Sequence, residues 1–298
     1  MSNIWPQARP NHHPSWEDFM ISMLTNTSRL ARRAALATVA LAALFGSVAA
    51  DAASLEEAKA RGRIIVGIQG DNQPWGFVNS GGQQDGFDAD IARLFAKDLG
   101  LEVEFTPLAV SNRIPALTTG KVDVLFATMA MTEERAKAIQ YSKPYAGNVI
   151  SLYGPKDKTM AKPEDAKGIA IGVPRSSAQD KAATDSMGNI ATIRRFDDDA
   201  ASIQALLSGQ VEAVGGNQFY LQRLDAAAPG KYERKIDFLT VYNGAGTRKG
   251  EKDWNEAINK FIDKIKGDGE LATAYAKWMK VPVPAFPESI PNIPFTVQ

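Results

Sequence analysis

An arginine follows one of the predicted buried strands at a spacing that suits it to bind an anion. Arg135 lies three residues after Thr132, near the start of a predicted helix and close to the end of a predicted strand at 122–127. A guanidinium group in this position can bind a carboxylate through two parallel N–H···O bonds. A solvated arginine on a helix surface would show the same local pattern, so this interpretation depends on the rest of the chain.

The residue types that many hydrolases and metalloproteins need are missing from most of the sequence. The 298 residues contain no cysteine, and the two histidines are His12 and His13. Disulfides, thiol nucleophiles and cysteine zinc sites are therefore excluded. If the first 52 residues are removed, no histidine remains, which also excludes Ser-His-Asp triads and histidine-ligated metals. We therefore predict no catalytic residue, no metal site and no cofactor.

The start of the chain predicts export from the cytoplasm. Three arginines, at positions 29, 32 and 33, precede a short apolar stretch at 34–48, and the small residues that follow allow cleavage after Ala52. The apolar stretch is shorter than the ~20 residues that span a bilayer, so a transmembrane anchor is the less favoured alternative. We expect residues 1–52 to be an upstream extension plus a cleaved signal peptide, and the remaining protein to be periplasmic.

The charge of the chain is balanced, with 34 Lys+Arg against 34 Asp+Glu. No basic surplus is available to neutralise phosphates, so nucleic acid is not an expected partner. The hydrophobic content of 44% is that of a globular protein, and the length suggests one or two domains. The expected partner is a small molecule, and the protein is expected to be a monomer.

Short β-rich segments alternate with amphipathic helices after residue 53, which predicts an α/β fold. A polar turn at 154–157 separates two such units, and the chain returns through an extended segment at 235–242. Two connectors of this kind predict two lobes joined by a two-strand hinge. The expected lobes are 53–150 with 240–298, and 151–239. The predicted strands before the return are 63–68, 102–105, 122–127, 149–153, 169–173, 192–195 and 211–214. A turn-rich loop is predicted at 70–86, and helices are predicted from 132, from 177, at 198–207 and at 217–227.

Ligands of open α/β sheets collect at the carboxyl ends of strands. The predicted strands end near four positions that would face one cleft: Gln69, Thr128, Pro174 and Gly216. Ser177 and Ala178 open a predicted helix in the second unit, where free N–H groups and the positive end of the helix dipole suit a carboxylate. Ordinary capping by Ser176 or Ser177 would explain the same residues, and both interpretations can hold together.

The order and spacing of several motifs over about residues 55–280 resemble the polar amino-acid class of ABC-transporter solute-binding proteins, family 3. The motifs are DNQPWGF at 71–77, GFDAD at 86–90, NRIPAL at 112–117, GKVD at 120–123, the segment 128–135, IGV with SSAQ at 171–179, and NKF, DG and KW between 259 and 278. The resemblance implies the type II periplasmic-binding fold, in which two lobes close on a ligand. It also implies an importer component that delivers polar amino acids to a membrane permease.

The resemblance further implies which residues contact the ligand. It places the arginine that binds the α-carboxylate at Arg135, and hydroxyl or backbone contacts at Thr128 and Ala130. Trp75 lies on the same loop as Asn72. Family members have an aromatic residue near this position that covers the apolar part of the ligand. Core packing of Trp75 and simple strand termination at Thr128 are the alternatives. The aspartates at 88 and 90 are expected to be structural, with Asp88 or a near neighbour capping a helix.

Three positions bear on specificity. Relatives that bind glutamate and aspartate have an arginine at the position of Arg113 that reaches the side-chain carboxylate, although relatives of broader specificity share it and a surface arginine would fit. Gln69 stands where relatives that bind basic amino acids have an aspartate, which disfavours lysine and arginine. The aspartate that usually receives the α-ammonium aligns with Asn217, and the neutral amide gives up ~1–2 kcal/mol of charge-assisted bonding. We therefore expect weaker binding, another acceptor, or a ligand other than a standard α-amino acid.

Two other functions stay open beside a receptor that is not an enzyme. A cyclohexadienyl-dehydratase-like lyase on the same fold would need a carboxylate as general acid. None of the site positions implied by the resemblance is an aspartate or glutamate, which weighs against it. The other alternative is a binder of a non-proteinogenic carboxylate such as an opine.

Overall fold

A computed structural model of the protein describes residues 54–297. The predicted extension, signal peptide and cleavage site lie outside the described residues. Within the described part of the chain, no helix is both long and apolar enough to cross a membrane.

Eleven strands within residues 54–297 form one large and one small sheet. In chain order they are β1 Arg63–Ile68, β2 Asp71–Asn72, β3 Gly76–Val78, β4 Gln84–Asp85, β5 Glu102–Pro107, β6 Val124–Leu125, β7 Ile139–Pro155, β8 Ala170–Pro174, β9 Thr192–Phe196, β10 Ala213–Asn217 and β11 Tyr232–Arg248. The large sheet has the order β5-β1-β6-β11-β7-β10-β8-β9, and β2, β3 and β4 pair separately. The segment 70–86, predicted as a turn-rich loop, thus contains a small antiparallel sheet.

The helices of the described residues pack on this sheet. They are α1 Leu55–Arg61, α2 Phe87–Leu99, α3 Arg113–Thr118, α4 Glu133–Ala136, α5 Ala178–Met187, α6 Asp199–Leu207, α7 Tyr220–Ala227, α8 Lys252–Gly267 and α9 Glu270–Trp278. Short 3-10 turns lie at Val110–Asn112 and Pro163–Ala166.

Side-chain caps explain where several of these helices begin. Thr132, Ser177 and Asp198 each accept a hydrogen bond from the backbone N–H three residues later, at the start of α4, α5 and α6. Such caps satisfy an N–H group that the helix itself leaves unpaired. The predicted helix starts at 132, 177 and 198 are therefore confirmed.

Two strands of 17 residues, β7 and β11, form the centre of the large sheet. They pair antiparallel from Ile139 with Arg248 to Pro155 with Tyr232. The strands β6, β1 and β5 follow on one side of this pair, and β10, β8 and β9 follow on the other. The two-lobed α/β fold with a two-strand hinge is confirmed. We propose residues 53–150 with 240–298 as the first lobe and 151–239 as the second.

Separate hydrophobic clusters lie on the two sides of the hinge. In the first lobe, α2, α8 and α9 cover the sheet with buried aromatic side chains that include Phe95, Trp254 and Phe261. In the second lobe, Tyr153 and Tyr220 pack among aliphatic residues of α6 and β10. Burying each such side chain stabilises a fold by about 1.5–3 kcal/mol, so each lobe has a core of its own.

Two further local predictions differ from the structure. The strand predicted at 122–127 pairs only at Val124–Leu125, and the helix predicted from 217 begins at Tyr220 because β10 continues to Asn217. The cap that was expected at Asp88 or a near neighbour lies at Gly86, with φ at 115°. A Cβ at that position would lie 2.6 Å from the Trp75 carbonyl oxygen, so the tight turn requires glycine there.

Candidate functional site

Nine of the ten residues predicted to bind ligand line one cavity between the two lobes. They are Gln69, Asn72, Arg113, Thr128, Ala130, Arg135, Ser177, Ala178 and Asn217. Val110, Asn148, Ile150, Gln179 and Asp199 complete its wall. The volume of the cavity is about 20 Å³, which is room for about one water molecule. A wider outer cleft shares Val110, Arg135, Ser177 and Ala178 with this cavity, so the cavity opens through it.

The sheet topology brings these residues together. Gln69 follows β1 and Thr128 follows β6, and these two strands are parallel neighbours in the first lobe. Asn217 ends β10 and Ser177 follows β8, which are parallel neighbours in the second. The carboxyl ends of parallel strands lie at one edge, and here both edges face the same cavity.

Arg113, at the start of α3, is a buried cation with unused hydrogen-bond donors. Its side chain is 2% exposed, and Nη1 donates to the Ala127 carbonyl at 2.6 Å. Nε and Nη2 are buried without a partner. Burial, followed by the nearby Arg135 charge, lowers the pKa of Arg113 to about 10. Two N–H groups of a charged guanidinium are therefore available to an acceptor brought in by a ligand.

Arg135 joins the two lobes. The half-buried side chain donates through Nη1 to the Ala130 carbonyl at 3.2 Å and through Nη2 to the Ser176 carbonyl at 2.9 Å. Ser176 belongs to the second lobe and immediately precedes the Ser177 cap of α5. A carboxylate between Arg135 and the start of α5 would therefore meet a guanidinium and helix N–H groups at once.

Asn217 contacts the opposite lobe through its amide. Its Nδ2 donates to Asn72 Oδ1 at 3.0 Å, and its Oδ1 accepts from the Phe219 backbone N–H at 2.9 Å. Arg223 of α7 donates to the same Asn72 oxygen at 3.3 Å. An aspartate at 217 could not donate to Asn72, so the amide makes an inter-lobe bond that a carboxylate cannot.

Asp199 is a cavity carboxylate that was not among the expected site residues. It is 1% exposed and accepts from Gln69 Nε2 and from the Tyr220 hydroxyl, both at 2.5 Å, and from Gln179 Nε2 at 3.3 Å. Burial, followed by the Asp71 charge, raises its pKa to about 6. It is the last of three consecutive aspartates, and nothing in the sequence distinguishes the buried one from its neighbours. The cavity thus contains a carboxylate, although none was expected there.

The structure places Trp75 differently from the expectation that it covers the ligand. Its side chain is fully buried, and its ring lies edge-on to Phe87 at 5.8 Å and to Phe219 at 5.9 Å between centroids. The backbone N–H of Phe87 donates to the Pro74 carbonyl, which folds the Trp75 loop onto α2. The indole therefore packs between the first-lobe core and Phe219 of the second lobe, outside the cavity wall.

Asp88 holds Thr128 in place from within the core. Thr128 has a positive φ of 49°, an unfavourable conformation for a residue with a branched side chain. Asp88 Oδ2 accepts from the Thr128 N–H at 2.7 Å and from its hydroxyl at 3.0 Å, while Oδ1 accepts from the Tyr145 hydroxyl at 2.8 Å. Asp88 is therefore structural, as expected, although its role is to fix a residue of the cavity wall.

The ionisation of Asp88 predicts a pH-dependent stability. Burial raises its pKa from 3.8 to about 6, so the folded protein binds this proton more tightly than the unfolded chain. The contribution of the group to stability is present below the unfolded pKa and is lost as pH rises through the folded pKa. On lowering the pH from 7 to 5, we expect the unfolding free energy of the wild type to gain about 1 kcal/mol relative to Asp88→Asn.

Chemical denaturation of both proteins at pH 5, 6 and 7 measures this difference. The asparagine variant keeps an acceptor for Thr128. All other titrating groups are common to both proteins, so their effects on stability cancel in the difference. A difference between the two proteins that stays constant across the three pH values would contradict the assignment.

The side chains of the candidate site are mainly guanidinium, amide and hydroxyl groups. Within residues 54–297, no group of three or more His, Cys, Asp or Glu side chains could hold a metal ion. The wall instead combines two guanidinium groups, one carboxylate and several amides and hydroxyls.

Comparison with known proteins gives the chain a family context. A family model described as bacterial extracellular solute-binding proteins, family 3, matches residues 64–281. The L-cystine-binding protein TcyJ of Escherichia coli (strain K12) is 27% identical over 264 residues, covering 84% of this chain and 96% of that protein. The ABC transporter glutamine-binding protein GlnH of Bacillus subtilis (strain 168) is 30% identical over 232 residues, covering 76% and 85%.

Solved structures show the same similarity. The solute receptor for L-cysteine of Neisseria gonorrhoeae has a TM-score of 0.72 at 30% identity and covers 76% of this chain and 94% of that chain. An ancestral amino-acid-binding protein, described as a precursor of cyclohexadienyl dehydratase, has a TM-score of 0.70 at 31% identity and covers 75% and 98%.

Proposed function

The chain belongs to the bacterial extracellular solute-binding proteins, family 3, and on that premise we propose that it is a periplasmic receptor for an acidic amino acid, glutamate or aspartate. The observation that carries this specificity is the buried Arg113 guanidinium, whose Nε and Nη2 have no partner. The named relatives bind several different amino acids, so the choice of ligand depends on the cavity of this chain.

The charges of the cavity wall support an anionic ligand. Arg113 and Arg135 supply two positive charges, and Asp199 supplies one negative charge above its raised pKa. The net charge of the wall is thus positive by one unit, which complements an acidic amino acid with two carboxylates and one ammonium. A neutral amino acid would leave one guanidinium without a counter-charge, and a cationic one would add to the repulsion.

Hydrogen bonds that cross the cavity support closure of the two lobes. Asn72 with Asn217, Gln69 with Asp199 and Arg135 with Ser176 all connect the lobes across the cavity. A ligand that adds bonds to both lobes binds the closed state better and shifts the population toward it. The closed protein, as a monomer, would then deliver the ligand to the membrane permease of an importer.

A binding screen tests the proposal. The purified protein would be titrated calorimetrically with each proteinogenic amino acid and with dicarboxylates and opines. We expect L-glutamate or L-aspartate to bind most tightly and lysine and arginine to give no detectable heat. Binding of opines or dicarboxylates alone would contradict the amino-acid assignment and favour a non-proteinogenic carboxylate.

One observation favours a second candidate, a lyase that acts on a prephenate-like acid. Asp199 is a buried cavity carboxylate with its pKa raised to about 6, which suits a general acid. Its oxygens, however, already accept from Gln69, Gln179 and Tyr220, so no proton is directed at the cavity. Incubation with prephenate, followed by absorbance of the aromatic product, distinguishes the two functions, and we expect no turnover.

The residue at 217 is expected to tune selectivity. Asn217→Asp removes the donor to Asn72 and adds a negative charge to the cavity wall. Because this charge repels a second ligand carboxylate, we expect the ratio of L-glutamate to L-glutamine affinity to fall about tenfold. Titration of the variant with both ligands measures the ratio, and an unchanged ratio would show that residue 217 does not sense ligand charge.

A further inference from the structure

The hinge strand β7 places an unpartnered amide oxygen at the cavity. Asn148 is 3% exposed and lies on β7, where it pairs with Val241 of β11. Its Oδ1 is buried without a hydrogen-bond partner. Buried polar atoms in folded proteins are nearly always partnered, so this oxygen is suited to a donor that enters with the ligand.

The direction of the Asn148 side chain follows from the period of the strand. Residues two apart on a strand share a face, and both Asn148 and Ile150 line the cavity. Gly147, the residue before Asn148, faces the other side of the sheet. A Cβ at Gly147 would lie 3.2 Å from Pro284 of the C-terminal segment. The amide therefore faces the cavity from the hinge itself.

Three other amides of the cavity wall already use their oxygens as acceptors. Gln69 Oε1 accepts from Asn72, Asn72 Oδ1 accepts from Asn217 and Arg223, and Asn217 Oδ1 accepts from Phe219. Their oxygens serve contacts within and between the lobes. Asn148 contributes its oxygen to none of these contacts.

We propose that Asn148 Oδ1 is the acceptor for the α-ammonium group of the ligand. The cavity would then present unpartnered donors at Arg113 and an unpartnered acceptor at Asn148, which match a carboxylate and an N–H group on one small molecule. This assignment explains how an amino acid can bind although residue 217 is a neutral amide committed to Asn72. It rests on the proposed function, because it presumes that the ligand has an α-amino group.

Paired titrations with and without the α-amino group test the inference. L-glutamate and glutarate share both carboxylates and differ in the ammonium group that Asn148 would bind. For Asn148→Ala, we expect the affinity for L-glutamate to fall about 10- to 100-fold and the affinity for glutarate to change less than threefold. Asn148→Ser keeps a hydroxyl acceptor and should lose less affinity for L-glutamate than the alanine variant.

Asn217→Ala is the matched control. The Asn217 amide oxygen accepts from Phe219 and its nitrogen donates to Asn72. Removal of this amide therefore acts through lobe closure, and the affinities for L-glutamate and glutarate should fall by the same factor. Thermal unfolding without ligand confirms that each variant is folded.

The outcomes separate this inference from the proposed function. A selective loss of L-glutamate in Asn148→Ala supports the inference. Equal losses for both ligands would overturn the inference, because a rotated amide that donates to a carboxylate would give that result. No loss for either ligand would also overturn it. Both results leave the receptor function intact. If the wild type binds no α-amino acid, the proposed function and this inference fail together. If the wild type prefers L-glutamine, the same comparison uses L-glutamine and glutaramate.

Discussion

Replacement of Arg113 by methionine is expected to weaken L-glutamate binding by about 10²- to 10³-fold. The two unpartnered N–H groups of the guanidinium are the donors that we assign to the side-chain carboxylate, and loss of one member of a buried charge pair costs about 2–5 kcal/mol. The loss for L-glutamine should be at least tenfold smaller, because its amide does not bring a counter-charge. Calorimetric titration of both ligands measures the two losses.

The same substitution is expected to leave the unliganded protein as stable as the wild type or to stabilise it by about 1–3 kcal/mol. The reason is that burial disfavours the charged guanidinium, as its lowered pKa shows, and only Nη1 has a bonding partner. Loss of binding together with lower stability would instead indicate a structural arginine.

Arg194→Met is the matched control for Arg113→Met. Arg194 is exposed on β9, and its Nη1 donates to the Gln210 carbonyl, away from the cavity. This variant removes the same formal charge, so its affinity for L-glutamate should stay within about threefold of the wild type. Equal losses for L-glutamate and L-glutamine in Arg113→Met would contradict the assignment of Arg113 to the side-chain carboxylate.

Replacement of Arg135 by alanine is expected to abolish measurable binding of every carboxylate ligand, a loss of at least about 10³-fold. Arg135 contributes twice: its fork would bind the α-carboxylate, and Nη2 already joins the lobes through the Ser176 carbonyl. Unlike Arg113→Met, this variant should weaken L-glutamate and L-glutamine equally, because both have the α-carboxylate. Titration with both ligands distinguishes the two arginines.

Arg135→Lys provides the control for charge alone. A lysine ammonium keeps the positive charge but does not form the planar fork that binds a carboxylate and a carbonyl together. We expect it to recover only part of the lost affinity. Full recovery would show that Arg135 acts as a point charge, and retained binding in Arg135→Ala would move the α-carboxylate site elsewhere.

The sequence predicts most of the elements that position the site, because their signals are local. The strand at Arg63–Ile68 agrees with its predicted bounds, and the caps at Ser177 and Asp198 give the starts of two helices. Local signals also predict part of the cavity wall, because residues that follow neighbouring parallel strands meet at one edge of the sheet. Gln69 and Thr128 line the cavity for this reason, whereas Arg113, Arg135 and Asn217 were expected from the family resemblance.

The remaining features depend on long-range packing that no local pattern reveals. Asp199 is buried and accepts hydrogen bonds from Gln69 and Tyr220, which are distant from it in sequence. Asn148 lies inside a strand whose predicted part began one residue later, and only the pairing of β7 with β11 turns its side chain toward the cavity. Core packing of Trp75 was one of the two expectations, but its contact with Phe219 of the other lobe could not be predicted from the loop that contains it.

Comparison of L-glutamate and L-glutamine binding by the wild-type protein tests the central claim most directly. These ligands have the same length and the same α-groups, so the comparison isolates the second carboxylate, to which we assign Arg113. Under identical conditions at pH 7, we expect L-glutamate to bind at least tenfold more tightly. Equal or tighter binding of L-glutamine would contradict the claim that the buried cation selects an acidic amino acid.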